Sequence, residues 1–470
     1  MIIVNAARHR ACKILTMRQE LVESYASAQV PRYTSYPTAA QFSPAVNAEV
    51  VAGWAAALSD DARLSLYFHV PFCRSICWYC GCHTKATRKD GPLISYGQTL
   101  ERELESSALA FAHGGKGPRQ VVSIHWGGGT PSMLPADVFQ DIVDSMRACY
   151  SVSDDAEHAM ELDPRLIDEA LVAKITGAGI NRVSLGVQDF TPRVQSAIGR
   201  VQPFEQVASA VDLLNRAGLD EMNFDLIYGL PLQSQADLIR SIDLATSLAP
   251  GRIALFGYAH VPWFKTHQRM IDEMVLPGAM ERLEMAEAAG ERLVALGYRR
   301  IGIDHFARED DKLAIAAENG TLRRNFQGYT TDPADAVIGL GASSISSFPT
   351  GFAQNAPATA EWARAVNAGH FATVRGVATT QADRFRSALI EALMCNLSVD
   401  VSAIAASHGM KATSLGDWRK RIDALADDGL ARRDGDTVMV PEEARAFTRV
   451  VAAVFDAYLE PEARKHSVAV

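Results

Sequence analysis

Between about residues 60 and 350 the chain repeats one unit, a short apolar run followed by a longer amphipathic stretch. Runs at 64–70, 121–126, 158–162, 182–187, 223–227, 253–258 and 300–304 have the β-branched and aromatic content of strands. Between them, 96–112, 136–148, 164–178, 204–217, 234–248 and 278–296 show helical periodicity. Parallel strands need a crossover between them, so this rhythm predicts βαβ units, an α/β fold and a complete or partial (β/α) barrel. Polar and glycine residues gather where the runs end: His69, Gly127-Gly128-Gly129-Thr130, Glu161, Gln188, Asp225 and Ala259-His260. The C-terminal strand ends of such a barrel form one face, and that face carries the chemistry.

The first run leads into Cys73-Arg74-Ser75-Ile76-Cys77-Trp78-Tyr79-Cys80-Gly81-Cys82. Structural zinc wants four ligands, usually as two separated Cys-x2-Cys pairs, and no second pair exists. Cys82 follows Cys80 too closely to share a tetrahedral site with the other three. Three thiolates at this spacing suggest a [4Fe–4S] cluster with one iron left open, since an electron carrier normally supplies four. Cys12, Cys149 and Cys395 are scattered, and read as free or buried thiols in a reducing compartment.

A chain of 470 residues has room for one large domain and one or two smaller ones. Its net charge of −9 argues against bulk nucleic-acid binding. No apolar run approaches the roughly eighteen residues of a transmembrane helix, which reads as a cytoplasmic protein. Residues 1–16 carry Arg8, Arg10 and Lys13 without an apolar core, so they do not read as a signal peptide, and Met17 is a candidate alternative start. Three parts are expected: an N-terminal extension over 1–55 that contributes to the active site, the barrel over 56–355, and a smaller, mostly helical domain over 356–470. In the last part, helices at 380–396, 401–408 and 415–427 precede a hairpin-like 429–440 with Asp-Gly punctuation, the outline of a winged helix. Only Arg419, Lys420, Arg432 and Arg433 stand nearby, too few cations to favour DNA.

The Cys-x3-Cys-x2-Cys loop after the first barrel strand resembles the signature of the radical S-adenosylmethionine superfamily. Longer motifs narrow the resemblance to the oxygen-independent coproporphyrinogen III oxidase family. They are Arg32-Tyr33-Thr34-Ser35-Tyr36-Pro37, Tyr67-Phe68-His69-Val70-Pro71-Phe72-Cys73, Gly81-Cys82 and Gly186-Val187-Gln188-Asp189-Phe190. Asp225-Leu226-Ile227-Tyr228-Gly229-Leu230-Pro231, Tyr258-Ala259-His260 and Asp304-His305-Phe306-Ala307 belong with them. Arg324-Asn325-Phe326-Gln327-Gly328-Tyr329-Thr330-Thr331 and Gly341-Ala342-Ser343-Ser344-Ile345-Ser346 complete the set, which spans about residues 30 to 355.

The resemblance implies that Cys73, Cys77 and Cys80 ligate the cluster and that S-adenosylmethionine chelates the open iron. It also implies two S-adenosylmethionine molecules, held by Tyr67, Tyr79, Gly128, Gly129, Thr130, Glu161, Gln188, Arg200, Asp225, Ala259 and Ile345. Tyr79, where members often carry phenylalanine, is expected beside an adenine. Glu161 and Asp225 are suited to ribose hydroxyls, Arg200 to a carboxylate, and the glycine amides to an aminocarboxylate. Cys82, outside the ligand spacing, is expected near the reaction together with Tyr67.

The implied reaction is radical decarboxylation of two propionates of coproporphyrinogen III to vinyls. It needs an electron donor such as flavodoxin or ferredoxin, and an acceptor that the sequence does not identify. Four substrate carboxylates call for cations, and Arg32, Lys85 and Arg324, with Tyr33 and Tyr329 as hydrogen-bond partners, are the candidates. Two alternatives are a haem-binding chaperone relative, which would lack the Arg32–Pro37 segment and Gly81-Cys82, and a radical enzyme that methylates or opens a tetrapyrrole.

Overall fold

The computed structural model describes residues 19–112 and 117–459. Cys12, Met17 and the stretch 1–16 lie outside the described residues. Twelve strands share one sheet: β1 Leu64–Val70, β2 Gln120–Gly128, β3 Ser151–Leu162, β4 Arg182–Gln188, β5 Met222–Tyr228, β6 Arg252–Gly257, β7 Arg299–Ile301, β8 His305–Ala307, β9 Ala336–Leu340, β10 Ile345–Phe348, β11 Gly351–Asn355 and β12 Thr373–Ala378. Their order across the sheet is β12-β11-β10-β9-β1-β2-β3-β4-β5-β6-β8-β7. Strands β1 to β6 pair in parallel, each with its successor, and β9 joins β1 in parallel on the other side. The result is the expected partial (β/α) barrel.

Strands buried on both faces read as unbroken apolar runs, and β1 is buried at every position but Tyr67. Phe68 stacks on Trp126 with ring centroids 4.0 Å apart, and Phe139 of the helix Ala136–Cys149 meets Trp126 edge-on at 4.8 Å. Side-chain caps start two of the crossover helices, Glu169–Gly177 and Gln235–Ser247. Ser234 accepts from the Asp237 amide while the Asp237 carboxylate accepts from the Ser234 amide, opening Gln235–Ser247.

The structure departs from the sequence reading in three places. The helix expected over 164–178 splits into a turn, Pro164–Leu166, and a helix, Glu169–Gly177. Asp168 accepts from the Leu171 amide at 2.8 Å, and that cap starts a new helix instead of letting the first continue. The strand expected over 300–304 stops at Ile301, where Gly302 turns the chain at φ +55°. Strands β7 and β8 then pair antiparallel, and the seventh parallel strand is β9. Finally, the 355/356 boundary falls inside the sheet, because β12 pairs with β11, and Trp362 of the helix Thr359–Asn367 is buried against Tyr96.

The remaining C-terminal body builds on the helix Gln381–Asn396 and a three-stranded sheet of Ser398–Asp400, Thr437–Met439 and Arg432–Asp434. The hairpin turns on Gly435 (φ +57°), as its Asp-Gly punctuation predicts. The N-terminal extension is threaded into this body. Val22, Val30, Tyr33 and Tyr36 share one core with Phe385, Leu389, Trp418, Phe447 and Phe455, and the Tyr33 hydroxyl donates to Asp456 at 3.0 Å.

Because Phe68 is fully buried, Phe68→Ala is expected to cost about 3–5 kcal/mol of stability. Urea unfolding should show a lower midpoint at unchanged slope, and a loss below about 1 kcal/mol would mean that the core closes over the gap.

Candidate active site

The cysteine loop leaves the C-terminal end of β1 and is closed at its base. Phe72–Cys73 pairs in parallel with Lys85–Ala86. At its tip, Trp78 and Tyr79 pack on a buried apolar cluster that includes Val194, Ile198, Leu230 and Tyr258. The Trp78 amide donates to the Ile198 carbonyl at 2.9 Å. A Cβ at Gly199, which sits at φ +64°, would come 2.9 Å from the Trp78 ring, so a glycine is needed there.

A second segment clamps the loop through its carbonyls. Lys265 Nζ donates to the Cys82 carbonyl at 2.9 Å, His267 Nε2 to the Cys80 carbonyl at 2.7 Å, and Gln268 Nε2 to the Tyr79 carbonyl at 2.9 Å. Sequence reasoning missed these three residues, since main-chain clamping leaves no motif of its own.

Each cluster-spaced thiol has a partner suited to a negative sulfur. Thr130 Oγ1 donates to Cys73 Sγ at 3.4 Å, with Thr84 Oγ1 also at 3.4 Å. Arg200 Nη1 donates to Cys77 Sγ at 3.4 Å. The hydrogen bond from Cys82 holds the Cys80 thiol down to about 6, while giving that bond pushes Cys82 up. Iron binds the thiolate, so donors and a cation at the sulfurs fit a thiolate-ligated cluster. Among the described residues, no three His, Cys, Asp or Glu side chains are grouped to hold a single metal ion.

Beside the loop, β1, β2 and β3 present one hydrogen-bonded layer. His69 Nε2 lies 3.0 Å from the His83 carbonyl and must donate to it, which leaves Nδ1 to accept from the Tyr67 hydroxyl at 3.0 Å. Burial pushes His69 down to about 4, so the ring is neutral. Glu161 meets His125 Nε2 at 3.3 Å and accepts from the Gly128 amide at 3.1 Å. Burial raises this carboxyl, but His125 and the Gly128 amide together hold it below the usual range. For Asp225 the balance reverses. Burial and the Glu161 charge push it up to about 6, although Asn223 Nδ2 donates at 2.8 Å and Ser184 Oγ at 3.2 Å.

Two expectations for this layer are corrected. The Gly128, Gly129 and Thr130 amides are not open to an aminocarboxylate, because they donate to Glu161, the Val70 carbonyl and the Phe72 carbonyl. The glycines serve close packing instead: a Cβ on Gly128 would lie 2.6 Å from His69, and one on Gly129 2.5 Å from the Phe72 oxygen. Arg200 is not poised for a ligand carboxylate either. It is buried, and its guanidinium donates to Cys77 Sγ, to the Gly186 carbonyl at 2.7 Å and to Asp163 at 3.4 Å.

Gln188 ends β4 in the left-handed region at φ +66°, and the Ala259 carbonyl accepts from Gln268 at 3.2 Å. A cleft of about 680 Å³ opens beside this layer, lined by Tyr67, His69, Gly81, Glu161, Arg324 and Ile345 among others. Of the substrate candidates, Tyr33 and Arg324 line it, whereas Lys85, Arg32 and Tyr329 do not. The Lys85 ammonium lies over the Phe72 ring at 4.9 Å and donates to Thr359 at 2.7 Å. Tyr329 spends its hydroxyl on the Met394 carbonyl at 2.7 Å and the Ile303 amide at 3.1 Å. Of the scattered cysteines, Cys149 is half-buried and Cys395 buried, both as free thiols.

Fold and thiol loop together define a radical S-adenosylmethionine protein, and the profile of the Radical SAM superfamily matches residues 67–245. Such a protein carries a [4Fe–4S] cluster and uses S-adenosylmethionine. An oxygen-independent coproporphyrinogen III oxidase of Bradyrhizobium diazoefficiens is 45% identical over 97% of this chain and 100% of its own. One from Paracoccus denitrificans is 44% identical over 94% of this chain and 97% of its own. The solved coproporphyrinogen III oxidase of Escherichia coli, described as a radical SAM enzyme, is 34% identical, with a TM-score of 0.86 over 92% of this chain and 100% of that one. The chain belongs to the oxygen-independent coproporphyrinogen III oxidase family.

Asp225 gives this site a pH signature. Below about pH 4 both folded and unfolded chains hold its proton. From there to about 6 only the folded state does, so wild-type stability falls as pH rises through that window. Asp225→Asn is expected to be more stable than wild type at pH 8, with the difference vanishing near pH 4. Urea midpoints at the two pH values measure it, and equal midpoints at pH 8 would show that the charge costs nothing.

Proposed function

We propose that this chain oxidises coproporphyrinogen III without oxygen, converting two of its propionates to vinyls to give protoporphyrinogen IX. The observation that carries the reading is the full-length match to oxidases of this name, in a chain whose three-thiol loop stands beside a cleft with room for a macrocycle. For each propionate the balance is one hydrogen atom, one electron and one carbon dioxide lost, which leaves a vinyl group. When bound, the cluster and S-adenosylmethionine supply the hydrogen-atom abstraction. Cys73, Cys77 and Cys80 would hold the cluster, and the donors at their sulfurs support that assignment. Two S-adenosylmethionine molecules would lie among Tyr67, Tyr79, Glu161, Gln188, Asp225, Ala259 and Ile345, with Gly128, Gly129, Thr130 and Arg200 shaping the same site through the packing and hydrogen bonds they make within the fold.

Tyr67 and Cys82 are assigned to the reaction itself. Tyr67 lines the cleft with its hydroxyl donating to the neutral His69 ring, and burial and the Glu161 charge hold it well above the ordinary tyrosine range, so it acts there as a fixed, neutral phenol. Cys82 is exposed beside the loop, between Gly81 and His83, which both line the cleft. An external reductant such as flavodoxin or ferredoxin would supply electrons, and a separate acceptor would take those released from substrate. A cytoplasmic setting suits the free thiols, and no described helix is long and apolar enough to cross a membrane.

The test is an anaerobic incubation of reconstituted protein with coproporphyrinogen III, S-adenosylmethionine and a reductant, read by mass spectrometry. Vinyl products with matching 5′-deoxyadenosine are expected. 5′-Deoxyadenosine without vinyl product would mean that the substrate is a different one, and stable haem binding without either would favour a haem carrier. Cys82→Ser is expected to keep its iron and absorbance while vinyl formation falls about a hundredfold or more, the scale of lost acid–base help. Unchanged turnover would remove Cys82 from the reaction.

A further inference from the structure

A second, smaller pocket of about 90 Å³ lies where β5 and β6 end against the C-terminal body. Among the described residues its lining holds six arginines, Arg32, Arg282, Arg300, Arg324, Arg445 and Arg449, against two carboxylates, Asp304 and Glu287. Glu287 is engaged by Arg300 at 3.4 Å, and Arg445 by Glu442 at 2.7 Å. Cations this crowded leave a mark on their neighbours. Burial and the charge of Arg32 push Arg449 down to about 10. Asp304, despite its burial, is brought down to about 2 by His305 and then by Arg324 and Arg32.

Arg324 shows what the pocket lacks. Its side chain is 5% exposed, and both Nε and Nη1 are buried with no hydrogen-bond partner. The guanidinium face rests on the Tyr329 ring at 4.4 Å and Nη2 stands 4.0 Å from Asp304, so Nε and Nη1 are the donors that remain for something else. A buried donor left unmade costs about 1–3 kcal/mol, more for a charged group, and a carboxylate oxygen is the acceptor that best matches a guanidinium N–H. Arg324 also lines the large cleft, so it is the side chain common to both spaces. Its Nη2 donates to the Arg32 carbonyl at 3.4 Å, which ties the exposed Arg32 of the N-terminal extension to the same place.

The geometry points to a carboxylate-binding pocket that takes one propionate of the tetrapyrrole, away from the propionate that reacts, and so fixes the macrocycle in the cleft. Arg324 is its central donor and Arg32 its outer one. The assignment rests on the substrate proposed above, but the pocket's selectivity is separable from turnover.

The probe is coproporphyrin III, which has the four propionates and is fluorescent, titrated anaerobically into the reconstituted full-length protein and compared with its tetramethyl ester. Arg324→Gln is expected to weaken coproporphyrin III by about ten- to a hundredfold and leave ester binding unchanged. The exposed Arg32→Gln is expected to weaken it in the same direction by less, and it covers the case in which Arg324→Gln does not fold, read by thermal melting. Equal affinity of both folded variants and wild type, while wild type still forms vinyl product, overturns the pocket and spares the function. Wild type that neither binds coproporphyrin III nor forms vinyl product overturns the function itself. Loss of S-adenosylmethionine in equilibrium dialysis with porphyrin binding intact also overturns the assignment, because the carboxylate would then be that of the amino acid.

Discussion

Everything in this protein depends on seven parallel strands delivering their C-terminal ends to one edge. A parallel sheet buried on both faces leaves that edge as the place where side chains can leave the core without surrendering its packing. The cysteine loop, the Tyr67–His69 pair, Glu161, Gln188 and Asp225 all stand there. The loop itself has little core of its own. Two aromatics anchor its tip, and Lys265, His267 and Gln268 hold its carbonyls, so its thiols are presented by a scaffold rather than by local preference.

The electrostatics of the edge are layered. Near the thiols, Arg200 and the Thr130 hydroxyl supply donors to sulfur that offset part of the cost of burial, which still holds Cys73 above the usual thiol range. One strand further, Glu161 is kept ionised by His125 while its charge pushes Asp225 towards protonation. Two carboxylates within one layer are thereby driven apart in proton affinity, a pattern that buried functional sites share. Towards the C-terminal body the sign changes to an arginine-rich wall, which suits a substrate carrying several carboxylates on an otherwise acidic chain.

Several polar residues with a plausible ligand role prove to be supports. The Gly128-Gly129-Thr130 amides are satisfied within the protein, and Arg200 is shared between Cys77, Gly186 and Asp163. Tyr33 and Tyr329 send their hydroxyls to Asp456 and Met394, and Lys85 leans on Phe72 and Thr359. A buried donor without a partner is expensive, so the fold recruits such groups for itself unless a ligand is built into the bargain. Arg324, with two unmade donors, is the exception among them.

The alternating apolar and amphipathic pattern, the thiol spacing and the chemistry at the ends of the runs were legible in the chain, because strand and helix periodicity are local properties. Fold class, the six leading strands and the thiol loop followed from them. Pairing was not legible. That β9 rather than 300–304 continues the parallel sheet, and that β12 belongs to it, depends on which edge is free once the other strands have packed. The clamp over 265–268 and the arginine pocket were also invisible, since they assemble residues from distant segments through main-chain oxygens and shared burial. The sequence by itself determined which elements form and which chemistry they carry. Only the tertiary structure decided which polar groups are spent on the fold and which are left over, because a hydrogen-bond partner is a matter of position in space and not of spacing along the chain.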